Sequence, residues 1–114
     1  MYDQRDIVLI PFPYTDLTGS KKRPALIISN EKINKDQDRI CCLVTRKQHK
    51  NYLEITKSSF YEGSLPFKSF VKPQRIFTIN EKIIIKKLCR MNNKLHDNVI
   101  NKINEYLKRN DSKG

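Results

Sequence analysis

The sequence predicts a mainly β (α+β) domain, a small curled antiparallel sheet of the barrel type followed by one C-terminal α-helix. Three observations carry that expectation. Short runs rich in β-branched and aromatic residues recur at close spacing, bounded by Pro, Gly, Asn and Asp. Near the C-terminus the period changes, with Leu95, Val99, Ile100, Ile103, Tyr106 and Leu107 at intervals of three and four, an amphipathic helix. At 114 residues the chain has the length of one domain with a modest core, so residues 1–114 are expected as a single unit. No repeat, low-complexity segment or linker divides it.

Taken in order, Ile7 to Phe12 is a continuous apolar run ended by Pro11 and Pro13, which suits a short strand leaving a sheet. A polar loop, Thr18-Gly19-Ser20-Lys21-Lys22, leads to a second strand at Pro24 to Ser29. Asn30 to Arg39 is polar and reads as a surface connection to the third strand, Ile40 to Thr45. Tyr52 to Thr56 alternates as a half-buried strand does. Phe60 to Pro66 holds Gly63 and Pro66 and reads as a turn. Ser69 to Ile79 is a long strand in which Pro73 has no N–H for the ladder, predicting a bulge or an edge there. After an Asn80-Glu81 turn, Ile83 to Leu88 is a further strand. Asn92 or Asn93 is placed to cap the helix, and Asn110 to Gly114 is expected to fray.

The charge is unbalanced. Against 12 Asp and Glu stand 23 Lys and Arg, a formal charge of +11 and a pI near 9.7. That balance suits a polyanionic partner better than an acidic metabolite, although a composition rich in Lys, Ile and Asn contributes to it. The cations are segregated. No carboxylate lies between Asp16 and Glu31, where Lys21, Lys22 and Arg23 stand, nor between Asp38 and Glu54, where Arg39, Arg46, Lys47 and Lys50 stand. The run from Arg39 to Leu53 is expected along the rim of a groove. A third acid-free span runs from Lys82 to Lys94.

Cys41, Cys42 and Cys89 leave one thiol over from any pairing, and neighbours on a strand point to opposite faces, so the cysteines are expected as reduced core residues. No Cys-x-x-Cys or His-rich spacing suggests metal ligands. The start Met-Tyr-Asp-Gln-Arg-Asp has no apolar signal core, and no run approaches the roughly 20 apolar residues of a membrane span. A soluble cytoplasmic protein with no membrane association is expected.

The stretch Asp6 to Asn30 carries the most information. Asp-Ile-Val-Leu-Ile-Pro opens it, a Gly-containing loop follows, and Lys-Lys-Arg-Pro-Ala-Leu-Ile-Ile closes it. This succession resembles the opening of the MazF/PemK toxin family, and the likeness extends over nearly the whole chain. The resemblance implies an SH3-like antiparallel barrel with a C-terminal helix. It implies a metal-independent, cofactor-free, sequence-selective endoribonuclease that cleaves single-stranded RNA, typically messenger RNA. Such toxins act as homodimers and are neutralised by a cognate acidic antitoxin.

Without a metal, the RNA 2′-hydroxyl attacks its own phosphate and leaves a 2′,3′-cyclic phosphate and a 5′-hydroxyl. The site must stabilise the dianionic phosphorane, which a fixed guanidinium does by bidentate geometry and permanent charge. Arg23, set against Pro24, is the residue that the resemblance places in that role, where composition alone allows a solvated loop arginine. Thr45, at the end of Leu43-Val44-Thr45, matches the strand-end Thr of MazF-like toxins, whose hydroxyl can donate to phosphate; strand propensity alone would also explain it. Ser20, Lys21, Lys22, Arg46, Lys47, Lys50, Lys72 and Gln74 are the expected RNA contacts.

Three departures stand out. The first loop lacks the His of the PemK branch, and Lys72-Pro73-Gln74 stands where that branch has Arg-x-Asp, so no carboxylate offers itself as the general base. Arg5 occupies a position where relatives commonly have Gly. His49 is a possible acid or base, since histidine changes charge near neutrality, but a loop among cations argues for an exposed residue; His96 is expected to be structural or exposed. The aromatic residues Phe12, Tyr14, Phe67, Phe70 and Phe77 are all able to stack on bases, but most are expected in the core, with Tyr14, in the loop between Pro13 and Thr15, the exposed exception. Two other functions fit a basic barrel: a gyrase poison of the CcdB type, which would act through an apolar, Trp-containing C-terminus that Leu107 to Gly114 does not supply, and a non-catalytic RNA-binding module.

Overall fold

The three apolar runs near the N-terminus are continuous because both faces of their strands are buried. Strand β1 (Asp6–Pro11) sends Ile7 to one core and Val8 and Ile10 to another. Strand β2 (Lys22–Ile27) divides in the same way, Leu26 against Ala25 and Ile27, and β3 (Asp38–Thr45) places Cys42 and Val44 opposite Cys41 and Leu43. The computed structural model describes residues 1–12 and 21–111. Four more strands complete it: β4 (Leu53–Ile55), β5 (Phe60–Gly63), β6 (Ser69–Asn80) and β7 (Lys86–Met91). All pair antiparallel in one sheet of order β4-β6-β3-β2-β1-β7-β5, curled into a nearly closed barrel. The predicted class, a mainly β barrel with a terminal helix, is the one observed.

Helix α2 (Asn93–Leu107) closes the first core with Leu95, Val99 and Ile103. Full burial of each such side chain stabilises by about 1.5–3 kcal/mol, which outweighs the weak propensity of a helix this rich in Asn. Of the two candidate caps Asn92 is the one used, its Oδ1 accepting from the Leu95 N–H at 2.9 Å. Among the described residues no helix is long and apolar enough to cross a membrane.

Pro73 does what its missing N–H demands. The β3–β6 register steps from Leu43 opposite Lys72 to Cys42 opposite Ile76, leaving Pro73, Gln74 and Arg75 unpaired in a bulge. Arg5 has φ +79°, the left-handed region that glycine enters without cost. Its N–H donates to the Ile27 carbonyl at 2.9 Å and its carbonyl accepts from the Met91 N–H at 2.8 Å, so strands β2 and β7 hold it there.

Several expectations are corrected. Asn30 to Arg39 is not wholly a surface connection: it contains a short helix α1 (Glu31–Asn34) capped by Asn30, and Arg39 belongs to β3. Arg39 is fully buried, donating to the carbonyls of Tyr2, Asp36 and Asp38 and pairing with Glu81 at 2.9 Å. A guanidinium so spent is no part of a groove rim. The turn expected at Phe60 to Pro66 is strand β5 as far as Gly63, paired to β7. Gly63 has φ +75°, and a Cβ there would lie 3.1 Å from that of Cys89. The strand expected at Ile83 to Leu88 begins later, because Asn80 caps a 3₁₀ turn at Glu81–Ile83 and shifts the strand to Lys86–Met91. Asp6, fully buried, accepts from Arg90 Nε at 2.7 Å and lies 3.6 Å from Lys87, an ionic clasp between β1 and β7.

The cysteines stand as expected: three buried thiols with no disulfide. Burial pushes the pKa of each up to about 12, so none is a thiolate near neutral pH.

Candidate functional site

Where β2 begins and β3 ends, the sheet opens into a cleft of about 780 Å³. Antiparallel pairing is the cause: Ala25 lies opposite Leu43, which sets Arg23, two residues before Ala25, beside Thr45, two residues after Leu43. All four share a face of the sheet because strand side chains alternate. The cleft is lined on this side by Lys21, Lys22, Arg23 and Pro24 of β2 and its approach, and by Val44, Thr45, Arg46 and Lys47 of β3 and its exit. The opposite wall is the segment Ser64 to Phe67 with Ser69, and Leu88 contributes from β7.

Among the described residues its electrostatics have one sign: Lys21, Lys22, Arg23, Arg46 and Lys47 line it, no carboxylate does so, and none of these cations is in an ion pair. Arg23 is half-buried, with its guanidinium carbon 5.9 Å from the Phe12 ring centroid. Its Nε is shielded from solvent and has no hydrogen-bond partner among the described residues. An unpartnered buried donor is costly, which makes Arg23 a candidate to receive an acceptor from outside the chain. Thr45 Oγ1 accepts from the Lys47 N–H at 3.1 Å, which fixes the hydroxyl and leaves its proton to donate outward.

The structure thus brings together Lys21, Lys22, Arg23, Thr45, Arg46 and Lys47 of the predicted residues. Ser20 and Tyr14 lie outside the described residues. Lys50, Lys72 and Gln74 do not line the cleft. Lys72 Nζ lies 5.6 Å from the centroid of Tyr52, and His49 stacks on the same ring at 4.7 Å, so these three form a separate cluster. Gln74 is exposed in the Pro73 bulge. His96 is half-buried on α2 with Nδ1 unpartnered among the described residues, and burial lowers its pKa, with Asp97 opposing and Arg5 adding to the effect.

Two features near the cleft differ from what the sequence predicts, the exposure of Phe67 and the reach of Arg75. Phe67, expected in the core, is 60% exposed and has the Arg46 guanidinium 4.3 Å from its ring centroid. Arg75, released from pairing by the bulge, reaches to 5.6 Å from Phe12, the ring that also carries Arg23. Pro66 before Phe67 was the available signal for a fixed loop, but nothing local says which side of the barrel that loop covers.

The sequence matches the family model for the PemK-like, MazF-like toxin of type II toxin–antitoxin systems over residues 3–108. No curated protein gives a significant match. Among solved structures, an endoribonuclease in complex with its cognate antitoxin from a mycobacterial species is similar, with a TM-score of 0.77 at 14% identity over 94% of this chain and 95% of that one. The Mycobacterium tuberculosis toxin MazF-mt6 superposes with a TM-score of 0.72 at 14% identity, over 93% of this chain and 99% of that one. A MazE–MazF structure from Deinococcus radiodurans gives a TM-score of 0.71 at 17% identity, over 96% of this chain and 97% of its own. At such identities these likenesses establish the fold.

Proposed function

The chain belongs to the PemK-like, MazF-like toxin family of type II toxin–antitoxin systems, and we propose that it is a metal-independent endoribonuclease that cuts single-stranded RNA in the cleft between Arg23 and Thr45. The observation that carries this reading is the cleft itself, which among the described residues is lined by cations without a carboxylate, with a guanidinium Nε that has no partner there and a fixed hydroxyl on the neighbouring strand. Ammonium and guanidinium groups offer a divalent cation no ligand but suit a phosphodiester well.

The RNA 2′-oxygen forms a bond to phosphorus, the bond from phosphorus to the 5′-oxygen breaks, and the products are a 2′,3′-cyclic phosphate and a 5′-hydroxyl. The 2′-proton leaves as the first bond forms, and the departing 5′-oxygen takes one up. Arg23 holds the non-bridging oxygens and neutralises the charge that grows on them, while Thr45 donates its hydroxyl proton to the same phosphate. Lys21, Lys22, Arg46 and Lys47 hold the flanking phosphates. Rate enhancement comes chiefly from charge stabilisation, since among the described residues the cleft is lined by neither carboxylate nor imidazole. The partners of this reading are a second copy of the chain in a homodimer and an acidic antitoxin whose carboxylates occupy the same cations.

The test is cleavage of a labelled single-stranded RNA by the Arg23→Ala and Thr45→Ala proteins. Losing a preformed donor to a developing oxyanion costs about 10²–10³ in rate. Arg23→Ala should lose at least that much and Thr45→Ala somewhat less, with the circular dichroism of both unchanged. Wild-type rates in Arg23→Ala would move the chemistry elsewhere; binding without cleavage by the wild-type chain would favour a plain RNA-binding module.

A further inference from the structure

Phe67 is the largest apolar side chain on the cleft wall, and at 60% exposure it forgoes the burial that a phenyl ring normally gains. Its loop is built to keep it there. Leu65, two residues earlier, packs against the main core; Pro66 fixes the backbone; and Ser69 Oγ donates to the Phe67 carbonyl at 2.9 Å. The Arg46 guanidinium lies 4.3 Å from the ring centroid and has no carboxylate partner among the described residues. A cation seated on an exposed ring orients it and leaves the rest of its surface open.

We propose that Phe67 is a base-stacking residue, receiving one unpaired nucleobase of single-stranded RNA against its ring while the cations of the facing wall hold the adjacent phosphates. This deepens the nuclease reading and rests on it. The juxtaposition favours a nucleotide strand, because a π-face and a row of phosphate-binding cations line one cleft, and a strand with unpaired bases presents both groups in alternation. Stacking tolerates any base, so Phe67 contributes affinity and fixes how the strand lies across Arg23 and Thr45, and the selection of sequence falls to other contacts.

The chain has no Trp and five Tyr, so Phe67→Trp in the non-cleaving Arg23→Ala protein creates a single tryptophan reporter at the site, excited at a wavelength that tyrosine does not absorb. Titration with a single-stranded RNA oligonucleotide should quench its emission, and an abasic phosphodiester strand of the same length should bind without quenching. By anisotropy, Phe67→Ala should weaken RNA binding on the order of tenfold, Phe67→Tyr should restore it, and the abasic strand should bind all three proteins alike. Because the ring is exposed, the far-ultraviolet circular dichroism of the variants should match the parent.

RNA binding with no quenching, together with an unchanged affinity in Phe67→Ala, would overturn the inference and leave the nuclease reading standing. Quenching by an acidic peptide and not by RNA would overturn it in favour of a protein partner on this wall. Failure of the wild-type chain to bind or cut any RNA would overturn the nuclease reading and this inference with it.

Discussion

Replacing Lys47 with Ala in the non-cleaving Arg23→Ala protein isolates what one cation of the cleft contributes. Lys47 lines the cleft, whereas Lys50, three residues later on the same exit from β3, does not. Removing Arg23 leaves Lys21, Lys22, Arg46 and Lys47 in the lining. Each phosphate neutralised on a single strand contributes about −0.7 to the slope of log affinity against log salt, so four neutralised phosphates give about −2.8. A tenfold rise in salt, from about 50 to about 500 mM, should then weaken binding by roughly 600-fold. Lys47→Ala should flatten the slope to about −2.1 without changing which RNA is preferred, because phosphate contacts position the strand and base contacts select it. Lys50→Ala should leave the slope near −2.8. Anisotropy of a labelled single-stranded RNA across the salt series gives all three slopes. Equal slopes for the Lys47 and Lys50 variants, or an affinity indifferent to salt, would refute the reasoning that this cleft is the path of the phosphates.

Two further predictions concern the frame that holds the cleft. Arg5→Ala loses the hydrogen bond from Nη1 to the Met91 carbonyl and the contact with Tyr61, while keeping φ +79°, and should cost about 2 kcal/mol; Arg5→Gly loses the same contacts but removes the left-handed strain and should be about 1 kcal/mol more stable than Arg5→Ala. Urea unfolding decides, and a glycine variant less stable than the alanine one would show that the backbone at residue 5 is unstrained. The buried thiols make a statement about alkaline pH: burial raises their pKa from 9.0 to about 12, so the folded state keeps protons that the unfolded chain loses. Their contribution to stability is complete below pH 9 and is lost as pH rises towards 12. Iodoacetamide should therefore label Cys41, Cys42 and Cys89 in urea but not in the native protein at pH 8, and rapid native labelling would contradict their burial.

The parts of the fold legible in the sequence were those whose cause is local. Ile7 to Phe12, Pro24 to Ser29 and Ile40 to Thr45 read as strands because alternate side chains enter two cores and leave no polar face. The helix read correctly because Leu95, Val99 and Ile103 are the stripe that packs. Strand β5 was hidden, since Tyr61, Glu62 and Gly63 are exposed and only pairing with β7 makes them a strand. The same division holds at the site. Arg23 and Thr45 could be paired from sequence because a recognisable succession of residues places both at strand ends, and Lys47 follows Thr45 directly. Phe67 could not, because a loop more than forty residues after Arg23 joins the cleft only through the closure of the barrel. Arg39 shows the converse: a cation counted as surface charge is spent on Glu81 and three carbonyls inside the protein. Local sequence does not say whether a guanidinium faces water or the chain's own carbonyls.

The most direct test of the central claim is incubation of the purified wild-type chain with a 5′-labelled single-stranded RNA in excess EDTA, with analysis of the ends produced. The account predicts discrete cuts at an undiminished rate, with fragments that end in a 2′,3′-cyclic phosphate and begin with a 5′-hydroxyl. Loss of cleavage on chelation that magnesium restores, or fragments beginning with a 5′-phosphate, would contradict it.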